Sequence, residues 1–343
     1  MRMAKRILIV SHLTHNPVKM FLDQTHKLAK GFIRSGHDVN VFNYHSALLQ
    51  TSPFKSKRIS SFFKTRVDDM LALHAKSYSP GIVFICFPRV FDANSVGYIR
   101  QAAPNAVFVG LDGDPWPEMH KNRIEVAKTL DVLFATNDGD FLQVYRDAGV
   151  PLCVFMPNAC DPDVEYRYQA PDKWKCDILF TGQIKHKHHP TEDLRSQIVN
   201  KLAGMSNCAI YGCCGRPQVG GIDYLYAISG ARIGFSMNAI NSVRLYHSDR
   251  FTHYLGCGTF VLAKRVPDTD LLFQDGVHLR YFDTADEFFD MAKWYLSHEG
   301  ERIKIADAGM QRAHTEFNCE KIAQYILDII ETGSCDAPWA QVL

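Results

Sequence analysis

The sequence predicts an α/β protein with two doubly wound, Rossmann-like parallel sheets, one in each of two domains. Short apolar runs alternate with amphipathic helical stretches along nearly the whole chain, which is typical of parallel sheets covered on both faces. This alternation is interrupted at a polar, proline-marked and aromatic segment, ACDPDVEYRYQAPDKWK, over residues 159–175. The length of 343 residues also exceeds one ordinary core and favours two domains.

The first half of the chain contains the first series of strands. Ile7–Val10 forms a buried strand, and Asn16 and Pro17 then begin a helix whose apolar positions recur at a spacing of 3.6 residues. That apolar face comprises Val18, Phe21, Leu22, Leu28, Ala29, Phe32 and Ile33, and Gly36 ends the helix. Further strands are predicted over residues 39–42, 82–87, 106–111, 132–135 and 152–156.

A second alternating series follows the interruption. Its strands are predicted over residues 177–181, 208–211, 232–237, 259–263 and 279–282, and helices over 286–296, 300–315 and 320–332 close the chain. The expected division is an N-terminal domain over 1–158, a C-terminal domain over 159–318, a helix over 319–332 that crosses back to the N-terminal domain, and a tail over 333–343. Facing sheets leave a cleft at the carboxyl ends of their strands, where ligands of such folds bind.

Composition excludes several classes of function. The formal net charge of +1 gives no general attraction to nucleic acid, so a basic site must be local. No run of about 18 apolar residues could span a bilayer, and Ile7–Val10 is too short for a signal-peptide core. Ten cysteines scattered through predicted elements indicate reduced thiols. We expect a soluble cytoplasmic protein.

Several stretches resemble CgeB-like glycosyltransferases, which are relatives of retaining family 4. These stretches include LDVLFATNDGDFLQVYRDAGVPLCVFMPNACDP, ILFTGQI and DRFTHYLGCGTFVL, and the resemblance covers roughly residues 78–332. It implies the two-domain fold called GT-B and sugar transfer from a nucleoside-diphosphate sugar in polysaccharide biosynthesis. It also implies a donor on the C-terminal domain, an acceptor on the N-terminal domain, retention of anomeric configuration and no metal cofactor.

The donor site is predicted where two strands of the second domain end. Ser248 begins a short helix whose free N–H groups, with the forked charge of Arg250, could hold a diphosphate. The alternative is a capped helix with a surface arginine. The histidines of HKHHP could bind a metal, but a solvated loop is the favoured interpretation because the fixed helical spacing of zinc motifs is missing. The predicted donor-binding residues are Gly182, Lys185, Arg195, Asn238, Ser248, Arg250 and His253.

The chain departs from the family pattern at three acidic positions. The family glutamate that holds the nucleotide ribose aligns with His253, and its earlier acidic partner aligns with Leu245. Another frequent glutamate of the family aligns with His278. A neutral imidazole accepts one hydrogen bond, whereas a carboxylate can accept two from a pair of hydroxyls. His253 is therefore either a ribose contact or a structural histidine, and the nucleotide base stays open.

The acceptor side is predicted after a strand of the first domain. The resemblance implies that Asp112 and Asp114, in FVGLDGDPWPE, orient an acceptor hydroxyl, with His120 as a further candidate. Two alternatives remain: a polar Asp-Gly turn, or the Asp-x-Asp metal motif of the other glycosyltransferase architecture.

A basic and aromatic segment, PFKSKRISSFFKTR over residues 53–66, could contact an anionic lipid surface or an anionic acceptor. Its default interpretation is a solvated loop and helix. The basic side chains assigned to this role are Lys55, Lys57 and Arg58, joined in the segment by Lys64 and Arg66. Two rival functions also remain open: a non-catalytic binding relative, and a sugar-nucleotide epimerase or hydrolase.

Overall fold

The chain folds into two compact units. The computed structural model describes residues 4–11, 22–53, 60–86, 91–115, 121–184, 193–337 and 339. Unit 1 combines the described residues up to Pro157 with those from Cys319 onward, and unit 2 comprises Asn158–Asn318.

Unit 1 contains a parallel sheet whose described strands are ordered β2-β1-β3-β4-β5-β6. Strand β1, next to the edge strand, pairs with β2 on one side and β3 on the other, so that Ile7 lies opposite Val39 and Ile82. Apolar residues dominate both faces of the central strands because helices cover each face. The strands are β1 Arg6–Ser11, β2 Asp38–Asn43, β3 Ile82–Cys86, β4 Val107–Asp112, β5 Val132–Ala135 and β6 Cys153–Phe155.

The helices of unit 1 follow the expected alternation, with one difference in the first. They are α1 Gln24–Arg34, α2 Tyr44–Thr51, α3 Lys64–Tyr78, α4 Ala93–Ala102, α5 Lys121–Ala127, α6 Asp140–Asp147 and, from the C-terminus, α12 Cys319–Thr332. The described part of α1 begins after Asp23, whose side chain accepts a hydrogen bond from the Thr25 backbone N–H. The expected start at Asn16 and Pro17 lies outside the described residues. Ile33, predicted on the buried face, is instead 56% exposed.

The C-terminal helix explains that difference. Helix α12 packs along α1, and a side chain at Gly31 would collide with the backbone carbonyl of Cys319. This close approach turns Leu28, Gly31 and Phe32 inward and leaves Ile33 outside. The Tyr325 hydroxyl also donates a hydrogen bond of 2.7 Å to the carbonyl of Phe155, which ties α12 to the sheet of unit 1.

Unit 2 repeats the architecture with a parallel sheet ordered β11-β10-β9-β7-β8 over its described residues. Its strands are β7 Cys176–Thr181, β8 Cys208–Tyr211, β9 Ala231–Ser236, β10 Phe260–Lys264 and β11 Arg280–Phe282. Its helices are α7 Asp193–Ala203, α8 Ile222–Gly230, α9 Asp249–Gly256, α10 Ala285–Ser297 and α11 Glu299–Glu316. In both sheets the first strand of the series lies between the second and the third, so each sheet has its strand-order reversal beside its first strand. The predicted α/β class with two doubly wound parallel sheets is confirmed.

Each unit has its own apolar core. The core of unit 1 includes Leu8, Val83 and Phe108, and that of unit 2 includes Phe180, Phe235 and Phe288. All ten cysteines are free thiols. Among the helices that the structure describes, none combines the length and the apolar character needed to cross a membrane.

Candidate functional site

The candidate site lies at the strand-order reversal of unit 2. Strands β7 and β9 are neighbours there, and the chain leaves them in opposite directions along the sheet. In open parallel sheets, ligands bind in the crevice that such a reversal creates at the carboxyl ends of the strands. The segments that follow β7 and β9 begin at Gly182 and Met237, and both contact the same arginine.

Arg250 bridges the carboxyl ends of strands β7 and β9 at the strand-order reversal. Its guanidinium donates one hydrogen bond of 2.7 Å to the carbonyl of Thr181 and another of 2.6 Å to the carbonyl of Met237. It also lies 5.1 Å from the centre of the Phe180 ring. Within the described part of the chain, no carboxylate forms an ion pair with Arg250. The arginine is therefore held by backbone dipoles while its positive charge is not neutralised.

A second arginine lies beside the first. Arg195, on α7, is 5% exposed, and its guanidinium lies 5.3 Å from the centre of the same Phe180 ring. Its Nε is buried without a hydrogen-bond partner, and no described carboxylate pairs with it. Burial, with a further contribution from the charge of Arg250, lowers the pKa of Arg195 from 12.5 to about 9. Two adjacent cations with no carboxylate partner among the described residues form a site that favours an anion.

Gly182 brings its backbone against both guanidinium groups. Its φ of +145° is a conformation that side chains rarely adopt, and a Cβ there would lie 2.7 Å from Nη1 of Arg250 and 3.2 Å from Nη2 of Arg195. Its N–H donates to the carbonyl of Tyr211 in the neighbouring strand β8. The glycine predicted for close approach to a diphosphate thus lies within reach of the two cations.

The beginning of α9 supplies further polar groups near Arg250. Ser248 precedes the helix with extended backbone, forms no side-chain cap, and buries its hydroxyl without a hydrogen-bond partner. Asn238 holds the preceding loop, since its amide accepts from the Ser248 N–H at 3.0 Å and donates to the carbonyl of Tyr246 at 2.9 Å. Both ends of the Asn238 amide contact backbone, and a direct contact of this residue with a donor stays a prediction.

His253 lies in the interior rather than among the arginines' contacts. It is 7% exposed, its Nδ1 is 3.1 Å from the Tyr224 hydroxyl, and its Nε2 is 3.6 Å from Oε1 of the fully buried Glu165. Glu165 in turn accepts a hydrogen bond from the Asp161 N–H. This environment is the one expected for a structural histidine, while a ribose contact stays a prediction.

Two features of the loop before α9 were not predicted from the sequence: the backbone strain at Leu245 and the burial of His247. Leu245, where the family has an acidic residue, is fully buried with a left-handed φ of +58°, which is strained for a leucine. His247 is 3% exposed and packs on Phe251, and burial lowers its pKa from 6.5 to about 4. Its Nε2 has no hydrogen-bond partner. Strain and burial both depend on the folded loop, so the sequence alone carries no signal for them.

A cavity of about 420 Å³ lies beside this site, between the segments that follow β7 and β8. Gly212 follows β8 with a φ of +90°, and a Cβ there would lie 3.0 Å from the carbonyl oxygen of Gly182. The cavity lining combines amide, hydroxyl and thiol groups with a similar share of apolar surface: Gln183, Ile184, Ser196, Asn200, Gly212, Cys213 and Cys214. A polar ligand that contacts the arginines could extend into this cavity.

In unit 1, the structure places Asp112 differently from Asp114. Asp112 is fully buried at the end of β4, and its two carboxylate oxygens accept from the Arg123 guanidinium and the Tyr145 hydroxyl. Asp114 is exposed two residues later. Because both oxygens of Asp112 are engaged inside unit 1, Asp114 is the better candidate to orient an acceptor. Over the described residues, no group of three or more His, Cys, Asp or Glu side chains is arranged to hold a metal ion.

Some predicted residues lie outside the described ranges. These residues are Lys185 of the donor set, together with Lys55, Lys57, Arg58 and His120 of the acceptor or membrane set. Lys64, also part of the basic segment, is described and engaged: its ammonium donates to Asp68 at 2.7 Å, Asp92 at 3.1 Å and Ser95 at 2.7 Å.

Comparison with known proteins agrees with this architecture. A family model described as glycosyl transferase-like matches residues 189–328. No curated protein matches the chain in sequence. Among solved structures, the Anabaena protein HepE in complex with UDP and glucose shares the fold with a TM-score of 0.62 and 11% identity, covering 96% of this chain and 100% of that one. The chain has the GT-B fold.

Two further GT-B structures show how varied the proteins with this fold are. Sucrose-phosphate synthase from Thermosynechococcus elongatus superposes with a TM-score of 0.63 at 11% identity, covering 95% of this chain and 98% of its own. A putative UDP-N-acetylglucosamine 2-epimerase from Listeria monocytogenes superposes with a TM-score of 0.51 at 10% identity, covering 97% of each chain. At such low identity these similarities establish the fold alone.

Proposed function

We propose that the protein is a CgeB-like glycosyltransferase that moves a sugar from a nucleoside-diphosphate sugar to a saccharide or lipid-linked glycan. The observation that carries this proposal is the pair Arg195 and Arg250, which contact one phenylalanine ring without a described carboxylate partner. Their position at the strand-order reversal of unit 2 is where a doubly wound sheet binds nucleotides. The glycosyl transferase-like match over residues 189–328 supports the same reaction class.

The chemical task of such an enzyme is to stabilise the departing diphosphate. Arg250 is fixed by two backbone carbonyls, so its charge needs little reorganisation when negative charge develops on a leaving phosphate. Arg195 adds a second cation, and Gly182 lets phosphate oxygens approach closely because it has no side chain. We propose that these groups stabilise the leaving group without a metal ion. Removing such a preorganised donor typically costs about 3–4 kcal/mol in the transition state.

The finer features of the proposal concern stereochemistry and the acceptor. We propose transfer with retention, in which the departing phosphate oxygen takes the proton of the acceptor hydroxyl. Asp114 then positions that hydroxyl instead of removing its proton, and its exposure leaves it accessible to an acceptor. Replacement of Asp114 by asparagine should slow transfer while donor affinity stays near that of the wild type.

Donor binding tests the site directly. A thermal-shift screen with uridine, guanosine, adenosine, cytidine and thymidine diphosphates should identify one nucleotide that stabilises the protein. Arg250→Ala should weaken binding of that nucleotide about 10- to 100-fold, because it removes charge-assisted hydrogen bonds. Arg167→Ala is the matched control: Arg167 contacts Gly258, just beyond the opposite end of α9, and pairs with Asp307. Equal affinity in Arg250→Ala and wild type would remove Arg250 from the donor site.

Transfer assays separate the remaining alternatives. Sugar transfer that persists with a chelator supports metal independence, whereas loss of activity would favour the Asp-x-Asp metal motif. The putative UDP-N-acetylglucosamine 2-epimerase from Listeria monocytogenes shares the fold, so donor turnover should also be measured without any acceptor. Rapid turnover under that condition would indicate an epimerase or hydrolase. Nucleotide binding without any turnover would indicate a binding protein, consistent with His253 and Leu245 at the family's acidic positions.

A further inference from the structure

Helix α3 of unit 1 turns large apolar side chains toward solvent. Phe62, in the short 3-10 helix Ser60–Phe63 before α3, is 82% exposed, and Leu73 and Met70 are 66% and 45% exposed. These two exposures, of Phe62 and Leu73, are the highest among the large apolar side chains that the structure describes. Met70 and Leu73, three residues apart in α3, fall on one side of the helix, and Phe62 lies in the 3-10 turn that precedes it. Val67, Leu71 and Ala75 fall on the other side and are buried.

Basic side chains accompany this apolar surface. Arg66 and Lys76 are exposed on the same side of the helix, with one exposed acidic residue, Asp69, between them. Lys64 does not contribute a free charge, because it pairs with Asp68 and Asp92. Among the described basic residues of the predicted segment Arg66 is exposed, and Lys76 extends the basic surface further along α3. We define the α3 face as Phe62, Arg66, Met70, Leu73 and Lys76.

Contiguous apolar side chains in water are costly unless a partner covers them. An aromatic and aliphatic stripe beside basic side chains matches the boundary between anionic headgroups and acyl chains, where each basic residue adds about 1 kcal/mol of attraction.

We infer that the α3 face docks on an anionic lipid membrane, with Phe62 and Leu73 inserted at the headgroup boundary and Arg66 and Lys76 near lipid phosphates. This inference rests on the surface of unit 1 alone. It does not depend on the proposed sugar transfer or on the arginines of unit 2.

Tryptophan fluorescence tests the insertion. In the Phe62→Trp variant, vesicles of equal parts phosphatidylglycerol and phosphatidylcholine should shift the added emission to shorter wavelength, and brominated lipids should quench it. Ile303→Trp is the matched control, because Ile303 is 42% exposed on α11 of unit 2. An equal response at both positions, or none at residue 62, would overturn the inference.

Vesicle sedimentation measures the strength of docking. The double variant Phe62→Ser, Leu73→Ser should lower the partition coefficient on the same vesicles about tenfold or more, because it removes two inserted apolar groups. Arg66→Gln should lower it about fivefold and should weaken its dependence on salt. Ile303→Ser should bind like the wild type.

Two outcomes of the same experiment would refute the membrane partner. Equal binding to pure phosphatidylcholine would show that anionic lipid is not recognised. Failure of the wild type to bind either vesicle would overturn the inference that the α3 face docks on a membrane. The thermal response to nucleoside diphosphates, measured on the same variants, reports separately on the proposed donor site.

Discussion

Arg195 provides the sharpest test of the anion site, because this residue should oppose folding and support binding. It is 5% exposed, next to a second arginine, and without a carboxylate partner among the described residues. A fall of its pKa from 12.5 to about 9 corresponds to roughly 5 kcal/mol of destabilisation at neutral pH, at 1.36 kcal/mol per pH unit. We therefore predict that Arg195→Met stabilises the free protein, by about 1–4 kcal/mol as in other replacements of buried charges by apolar groups.

The same change should remove about half or more of the stabilisation that a bound diphosphate gives to the folded protein. A ligand at 100 times its dissociation constant stabilises a protein by about 2.7 kcal/mol. If Arg195→Met weakens binding tenfold or more, the same ligand concentration stabilises by about half of that value or less. Urea unfolding with and without the nucleotide that the thermal-shift screen identifies measures both effects on one variant.

Arg302→Met is the matched control for this experiment. Arg302 is similarly buried at 8% exposure, but it pairs with Glu299 at 2.9 Å and donates to the carbonyl of Arg232 at 3.1 Å. Its replacement should lower the free energy of unfolding by about 1–3 kcal/mol and leave the nucleotide effect unchanged. The reasoning is wrong if Arg195→Met is less stable than the wild type and still gains full stability from the nucleotide.

Two further predictions follow from buried polar groups outside the arginine pair. Asp112→Asn should lower the free energy of unfolding by about 3–5 kcal/mol, because Arg123 loses its buried carboxylate partner. Chemical denaturation measures this change. A change below about 0.5 kcal/mol would mean that the buried pair contributes nothing to stability. Burial lowers the pKa of His247 from 6.5 to about 4, so the unfolded chain binds its proton first as the pH falls. Stability from this group is complete above pH 6.5 and should decline by about 3 kcal/mol as the pH approaches 4. The His247→Gln variant should lack this acid loss in pH-dependent urea titrations. Parallel pH profiles of variant and wild type would show that folding does not shift the pKa of His247.

The alternation of strands and helices could be predicted from the sequence because it depends on local periodicity. Apolar runs such as Ile7–Val10 and Asp177–Thr181 fall within observed strands β1 and β7, and helix boundaries such as Gly36 follow from single residues. The buried face of α1 could be predicted only in part, because its orientation depends on contact with α12, almost 300 residues later in the chain. Ile33 illustrates this limit.

Individual site residues could be predicted where a local sequence pattern indicates a role in ligand binding. Gly182 after a strand and Arg250 at a helix start both have such patterns, and the structure brings them together. Asp112 illustrates the opposite case. In the sequence it lies in a polar turn, yet Tyr145 and Arg123 enclose it in the fold, so its carboxylate is buried and engaged.

The sequence by itself determined the two parallel-sheet units and the identities of the charged residues near their strand ends. Only the tertiary structure decided that Arg195 and Arg250, 55 positions apart in the chain, share the Phe180 ring without a counter-ion in the described residues. The physical reason is that strand order and burial are set by long-range packing. Burial then determines whether a charge is solvated, paired or available to a ligand.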